Sequence, residues 1–574
     1  MEMLVPLLTD HLSKHLALTV QPSEIERPSD LEHGDLAFPT FRYAKARNLT
    51  PQDLAKEISL SFRSVPEINK HFEVYPMGAY VNFKLTNQSL LDLVLSPSLD
   101  GTYGHRPDSL GPKKKWVLEF SSPNVAKPFM IYHFRGTGVG ASLARIARKR
   151  GLDVSTINHI GDWGTQFGKL YVANQRYRAG NPEIDRFESL VEMYVKFHQE
   201  LETNPELESE GRSAFIRLEQ KDPVVTAFWK SCVAISLKEF EKIYKLLNVE
   251  FDHTWGESFY ESKLSPLLAD LKSKNILELS EGAYVARVKD AKGKELTPVI
   301  LQKTDGSTIY ATRDVAALIY RYETFKFDKM IYVVGGEQKL HFEQVFGVVR
   351  AMGEKFVEKC EHVATGLYRF KDKKMSTRKG NFVTFEDVFA LVKDRVRERM
   401  SERSGEETPN ESNIEKIALA SIVYHDLATD PARDLEFDVS QVTDFEGETG
   451  PYLQYAHTRC LSVIRKSEER GYSTKCTNSS ALLAEINSDV SRRLLRNIAQ
   501  YPFALERVLT TKKPSALARN LMDIAQSFGA FYRERHILTD SKDEGEARLQ
   551  LVLATRAILK DGLSLLGIPT PEKM

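Results

Sequence analysis

The stretch Trp116-Val117-Leu118-Glu119-Phe120 decides the fold class. It is a short apolar run of the kind a buried strand shows, and a Pro-containing turn follows it. The helix-like GASLARIARKRG (Gly140–Gly151) comes next, then a second strand-like run, VSTINHI (Val154–Ile160). Strand, turn, helix, strand is the start of a doubly wound α/β domain, in which ligands gather at the carboxyl ends of parallel strands.

Upstream of this unit, LDGTYGHRPDSLGPKKK (Leu99–Lys115) is rich in Gly, Pro and charge and reads as a boundary. What precedes it mixes helix-like stretches with short β-like ones such as AYVNFKL (Ala79–Leu85), so a small α/β domain is expected over residues 1–108. Downstream, FESLVEMYVKFHQEL (Phe187–Leu201) and VAISLKEFEKIYKLL (Val233–Leu247) are helical. Strand-like runs then resume with AYVARV (Ala283–Val288), PVILQ (Pro298–Gln302) and KMIYVVGG (Lys329–Gly336). This order predicts a Rossmann-like parallel-sheet domain over residues 109–400, with a helical insertion near 181–265 between the halves of its sheet. SERSGEETPNESN (Ser401–Asn413) reads as a linker or long turn. Beyond it, ALARNLMDIAQSFGAFYRERH (Ala516–His536) and LQLVLATRAILKDGLSLL (Leu549–Leu566) mark an all-α domain over residues 401–574.

At 574 residues the chain exceeds one hydrophobic core, and its 42% apolar and 28% charged residues are those of an ordinary soluble protein. Lys+Arg and Asp+Glu both total 79, so no global field draws in a polyanion. Basic clusters exist at Lys113, Lys114 and Lys115, at Arg492, Arg493 and Arg496, and at Lys512, Lys513 and Arg519. Taken singly, each is by default a solvated surface. The four cysteines lie far apart with no Cys-x-x-Cys pair, which suggests neither a zinc site nor a disulfide framework and fits a reducing cytoplasm. No stretch approaches the roughly 18 apolar residues of a membrane span, and the start lacks the marks of a secretory signal. A cytoplasmic protein without a membrane partner is expected.

Four groups of residues could carry chemistry. Gly136-Thr137-Gly138-Val139-Gly140 would either offer backbone N–H groups to a phosphate or let a helix pack close to the sheet. Lys373-Lys374-Met375-Ser376-Thr377-Arg378-Lys379-Gly380 would embrace a polyphosphate, stabilising charge as a leaving group departs, or would be an exposed basic loop. His159-Ile160-Gly161-Asp162-Trp163-Gly164 ends a strand and brings backbone close to a ligand, or is a tight turn. Glu119, Asp314 and Gln338 are acceptors suited to a cation; a guanidinium needs planar acceptors in fork geometry, which a carboxylate supplies.

Together these segments resemble arginyl-tRNA synthetase, of the class I synthetases, along almost the entire chain. The resemblance is carried by EFSSPNVAKPF (Glu119–Phe129), NHIGDWGTQFGKL (Asn158–Leu170), YATRDVAALIYR (Tyr310–Arg321), VVGGEQKLHFEQVF (Val333–Phe346), KKMSTRKGNFV (Lys373–Val383), FEGETGPYLQYAHTR (Phe445–Arg459) and LLGIPTPEKM (Leu565–Met574). HGDLAFPTFRYAKARN (His33–Asn48) and GAYVNFKL (Gly78–Leu85) look like the family's N-terminal tRNA-binding domain.

The resemblance implies a two-step reaction. The arginine carboxylate attacks the α-phosphate of ATP, giving arginyl-adenylate and pyrophosphate, and the arginyl group then moves to the terminal adenosine of tRNA(Arg). It implies that Glu119, Ser122, Asn124, Tyr310, Asp314 and Gln338 hold arginine, with Asp314 on the guanidinium, Tyr310 beside it and Asn124 near the α-amino group. Lys127 and His133 would face the ATP phosphates, and Met130, Tyr132, Gly161, Asp162, Lys374 and Met375 would line the nucleotide site. Lys374, Ser376, Arg378 and Lys379 would act from the mobile Lys-Met-Ser-Lys loop, whose usual final lysine is Thr377 here. Arg378 or Lys379 would supply that charge. Tyr452, Tyr455, Arg459, Tyr532 and Met574 match places that contact the anticodon stem and loop, where aromatic faces stack on splayed bases. Tyr80 and Asn82 would meet the corner of the tRNA. Magnesium is expected with ATP, no protein-held metal is expected, and the family is monomeric.

One signature departs from the family. His-x-Gly-His falls on Met130-Ile131-Tyr132-His133, so only the second histidine remains. Met cannot replace the lost donor. A glycine there lets adenine lie against the backbone, so Tyr132 must point elsewhere, stack on the base or fill the pocket. Arg135-Gly136-Thr137 also replaces the usual Arg-Ser-Thr. An active synthetase with a rebuilt ATP site is the reading, and a non-catalytic tRNA- or arginine-binding relative is the alternative.

Overall fold

A computed structural model describes residues 4–28, 33–105, 113–178, 180, 186–370, 383–404 and 410–574. The N-terminal region pairs β1 (Leu36–Pro39), β2 (Phe72–Met77) and β3 (Tyr80–Leu85) in a three-stranded antiparallel sheet, order β1-β3-β2. The Leu4–Leu16 and Pro51–Ser61 helices supply Leu8, Leu12, Leu54 and Ile58 to a core shared with Phe38 and Phe83 of the sheet. The second of these helices starts at Thr50, whose hydroxyl accepts the Asp53 N–H, with Pro51 in the first helical position.

The central sheet is all parallel: β4 (Lys115–Glu119), β5 (Asp153–Asn158), β6 (His253–Thr254), β10 (Lys329–Gly335) and β11 (Cys360–Thr365), in the order β11-β10-β4-β5-β6. Strand order reverses between β4 and β10, and a crevice opens outside the carboxyl ends of the strands at such a reversal. The helices Thr165–Tyr177, Phe187–Thr203, Glu206–Glu219 and Pro223–Leu246 stand between β5 and β6.

Two strand-like runs do not join this sheet. AYVARV and PVILQ give β8 (Ala283–Ala286) and β9 (Val299–Gln302), which form a separate antiparallel sheet with β7 (Leu277–Ser280). The reason is local: β7 and β8 are joined by Glu281 and Gly282, at φ 51° and 80°. A two-residue turn with both φ values positive closes a hairpin and leaves no room for a parallel crossover. The expected linker also shortens, because the Phe385–Ser404 helix runs into it and the Glu411–Leu427 helix begins before it ends.

β12 (Tyr368–Phe370) pairs in parallel with β13 (Leu435–Phe437), and the helices Gly450–Glu469, Ser515–Glu534 and Lys542–Leu566 follow in the chain. Several basic residues expected at the surface lie in these junctions instead. Arg496 is buried and pairs with Asp35 of the N-terminal region at 2.5 Å. Lys512 is buried 3.7 Å from Glu361 of β11. A long cationic side chain covers apolar surface as well as carrying charge, so sequence clustering alone misplaces it.

Candidate active site

The loop after β4 is the most strained backbone near the crevice. Ser121, Ser122 and Ala126 have φ of 78°, 49° and 62°, a region non-glycine residues rarely enter and hold only when their surroundings insist. The surroundings do insist. The Ser121 hydroxyl bonds the Tyr244 hydroxyl at 2.8 Å and accepts from Thr137 at 2.8 Å. Ser122 N–H donates to Asn158 Oδ1 at 3.2 Å, and Ala126 N–H donates to Ser236 Oγ at 3.0 Å. Asn124 pairs with Gly161 across the loops after β4 and β5. A Cβ on Gly161 would stand 2.3 Å from Asn124 Oδ1, so this close approach requires glycine.

Charged side chains converge beside this loop. Glu119 ends β4 and is buried in an ion pair with Arg321, which is itself fully enclosed. Arg321 Nε donates to the Tyr260 hydroxyl at 3.2 Å, and its guanidinium lies over the Tyr260 and Tyr332 rings. Asp314 meets His341 Nε2 at 2.5 Å and lies 3.6 Å from His159 Nε2. Burial pushes the Asp314 carboxyl up, but the His341 hydrogen bond and the neighbouring positive groups hold it below its ordinary value. Glu257 has the opposite balance: burial lifts its pKa to about 8, and Asp314 and Asp162 add to the rise against Arg313. A carboxyl so lifted lacks sufficient positive charge around it, and a bound cation would supply that charge.

Tyr310 opens its helix with its side chain exposed, one turn before Asp314, and Gln338 is exposed just beyond β10. Glu119, Asp314, Tyr310 and Gln338 therefore surround the carboxyl ends of β4 and β10, with Ser122 and Asn124 on the loop beside them. His159, from the strand-end group, belongs to this cluster, as do Glu257, Arg321 and His341, which the sequence did not single out. The YATRDVAALIYR helix pattern held a signal for Arg321, since a charged residue at an apolar-face position needs a buried partner.

On the nucleotide side, the Ile131–Lys149 helix starts at Met130. Met130 N–H donates to His133 Nδ1 at 3.0 Å, which leaves the other ring nitrogen of a neutral imidazole as the donor. Burial first, then Lys127, lowers the His133 pKa to about 3, so the ring is neutral at physiological pH. Met130 is buried, whereas Tyr132 is half exposed with its ring edge-on to His133 at 4.3 Å between centroids. Asp162 is engaged with the loop after β6: it accepts from Ser258 N–H at 2.8 Å and from Ser258 Oγ at 2.6 Å. The glycine run settles as packing. A Cβ on Gly140 would stand 2.2 Å from the Phe120 side chain, and one on Gly136 would stand 3.4 Å from the Val333 carbonyl. Both lie past the first helical turn, where N–H groups are already bonded within the helix. Lys374, Met375, Ser376, Arg378 and Lys379 lie outside the described residues.

In the helical domain, the Arg459 guanidinium sits 4.5 Å from the Tyr455 ring and 4.8 Å from the Tyr532 ring, and it donates to the Tyr455 hydroxyl at 2.7 Å. Tyr452 packs partly buried beside them, and Met574 is exposed at the end of the tail. In the N-terminal sheet Tyr80 meets the exposed Phe41 edge-on, while Asn82 is buried with its amide nitrogen unpartnered. Among the described residues no helix is long and apolar enough to cross a membrane, and no group of three or more His, Cys, Asp or Glu could hold a metal ion.

Residues 102–439 match the family "tRNA synthetases class I (R), catalytic domain", residues 453–574 the "DALR anticodon binding domain", and residues 4–85 the "Arginyl tRNA synthetase N terminal domain". The arginine–tRNA ligase of Exiguobacterium sibiricum is 38% identical, over 96% of this chain and 95% of that protein. That of Clostridioides difficile is 39% identical over the same shares. The solved arginyl-tRNA synthetase of Plasmodium falciparum shares the fold with a TM-score of 0.82 at 23% identity, covering 100% of this chain and 99% of that one. A strained loop, a carboxylate cluster at the sheet's switch point and full-length likeness agree: the chain belongs to the arginyl-tRNA synthetase family.

Proposed function

We propose that the chain catalyses the ATP-dependent joining of arginine to tRNA(Arg), with release of pyrophosphate and then AMP. The observation that carries this is the convergence of the Glu119, Glu257 and Asp314 carboxyls at the carboxyl ends of the central strands, Asp314 held ionised by His341. The substrate guanidinium lies against these carboxylates with Tyr310 flanking it. Glu119 acts through Arg321, while Ser122, Asn124 and Gln338 surround the α-amino end. The arginine carboxylate attacks the α-phosphate of ATP, a C–O–P bond forms, and the bond to the β-phosphate breaks. A ribose hydroxyl of the terminal adenosine then attacks the acyl carbon, and AMP leaves.

Lys127 and the neutral His133 donor hold the phosphates, and Met130, Tyr132, Gly161 and Asp162 form the wall of the nucleotide site. Lys374, Met375, Ser376, Arg378 and Lys379 complete its set of phosphate-binding groups. Magnesium enters as part of the ATP substrate. Tyr452, Tyr455, Arg459, Tyr532 and Met574 receive the anticodon arm, and Tyr80 faces the corner of the tRNA; Asn82, expected beside it, is buried in the sheet and does not. We assign the protein to the cytoplasm, as a monomer. The test is ATP–pyrophosphate exchange by purified protein with arginine and cognate tRNA. Arginine-dependent exchange is expected; tRNA binding without exchange would leave only a non-catalytic role.

A further inference from the structure

Arg135 lies just past the first turn of the Ile131–Lys149 helix, and its side chain is wholly enclosed. Its Nε stands 3.3 Å from Asp426 Oδ1, and its Nη2 donates to the Asp430 carbonyl at 3.3 Å. The Tyr368 hydroxyl donates to Asp426 Oδ2 at 2.7 Å, and the guanidinium lies 5.9 Å from the Tyr368 ring centre. These three residues come from three separate parts of the molecule. Arg135 is on the helix that starts at the ATP signature. Tyr368 is on β12, which runs directly into the stretch carrying Lys374 to Lys379. Asp426 closes the Glu411–Leu427 helix, which packs on the Gly450–Glu469 helix of the C-terminal domain.

Stability alone is a poor reason for this trio. Arg135 Nε and Nη1 and Asp426 Oδ1 have no well-aligned hydrogen bond. A buried ion pair left incompletely bonded holds segments together no better than well-packed apolar residues of the same volume. What charge adds is register, because a single arrangement of the three segments pairs the groups.

The far end of the same stretch is tied to the same helix. Ile131 N–H donates to the Val383 carbonyl at 3.2 Å, and Phe385 N–H donates to the Phe129 carbonyl at 3.0 Å. The described residues on either side of that stretch are thus referred to one helix start. One tie is made by backbone, the other by a charged trio whose third member belongs to the helix beneath the C-terminal domain.

We infer that Arg135, Asp426 and Tyr368 are positioning residues for the first step. They set the register of β12 against the signature helix and make that register depend on how the C-terminal domain sits. This rests on the function proposed above. The test uses the full-length chain, with Michaelis constants for ATP and arginine measured separately in pyrophosphate exchange, together with tRNA affinity and Tm. Tyr368→Phe and Asp426→Asn should each raise the ATP constant or lower the exchange rate about tenfold. Arginine KM and tRNA Kd should stay within about twofold, and the double variant should be no worse than the poorer single one. The double variant Arg135→Met with Asp426→Leu, which leaves no unpaired buried charge, should roughly keep Tm while losing the same activity, separating register from stability. Should that double variant fail to fold, Tyr368→Phe decides the matter by itself.

An unchanged ATP constant and rate in Tyr368→Phe overturns the inference. So does a parallel rise in both substrate constants that tracks a loss of Tm. A wild-type chain without exchange overturns the functional reading and this inference together, whereas an active wild type with an unaffected Tyr368→Phe overturns the inference alone.

Discussion

The two halves of the crevice are built on different principles. The amino-acid half is a set of charges held against one another: Glu119 on Arg321, Asp314 on His341 and His159, with Glu257 short of a partner. Among the described residues, the half around Met130, proposed for the nucleotide, is chiefly a helix start and a neutral imidazole beside Lys127. Charge recognition fails when one carboxylate is lost, whereas recognition by backbone survives changes in the side chains around it. Under the proposed function, that contrast accounts for a chain that lacks the first histidine and the glycine of its signature and keeps the carboxylates Glu119 and Asp314.

The contrast breaks first at Asp314. Asp314→Ala should lower kcat/KM for arginine roughly a thousandfold, as expected when a buried charged partner is removed, with tRNA affinity unchanged. Unaltered arginine kinetics would show that the charged half has been misplaced. Arg459→Ala should weaken tRNA binding about tenfold, since it removes the filling between Tyr455 and Tyr532 that presents both rings. Filter binding at fixed salt measures this, and undiminished affinity would take that surface out of the RNA site.

A pH experiment sharpens the comparison within the charged half. The Glu257 pKa is raised to about 8 in the folded chain, so the carboxyl keeps its proton there at pH values where an unfolded chain would release it. Its stabilising contribution is full below the ordinary carboxylate range and is lost as pH rises through about 8. Arginine prefers the ionised form, so arginine KM should fall between pH 6 and pH 8, a window of about two units below that value. Glu257→Gln should flatten the profile; a wild-type slope that persists in the variant would assign it to another group. The smallest effect is expected at Tyr132. Tyr132→Gly should change ATP KM by less than about threefold, because the half-exposed ring leaves the backbone wall in place. A larger change would show that the phenol, and not only the Tyr132 backbone, forms the wall of the nucleotide site.

The periodicity around Trp116–Phe120 located the parallel sheet, and the long matches named Glu119 and Asp314, which the structure brings to one crevice. Periodicity could not tell that AYVARV and PVILQ belong to a separate hairpin sheet, because an apolar run does not state its partner. The Glu281–Gly282 turn decided that. Glu257 and His341 could not be singled out either, nor could the partner of His159. Each is an ordinary polar residue in its own segment, and His159 reaches Arg321 across 162 positions.

By itself, then, the sequence determined the doubly wound class, the family and the positions of most candidate groups, since these depend on local patterning and chemical type. Only the tertiary structure decided which charges neutralise each other. It paired Glu119 with Arg321, left Glu257 without enough positive charge, and buried Arg496 and Lys512 at junctions between regions. The physical reason is that the state of a charge depends on burial and on neighbours brought together through space. Neither property is carried by the residue alone.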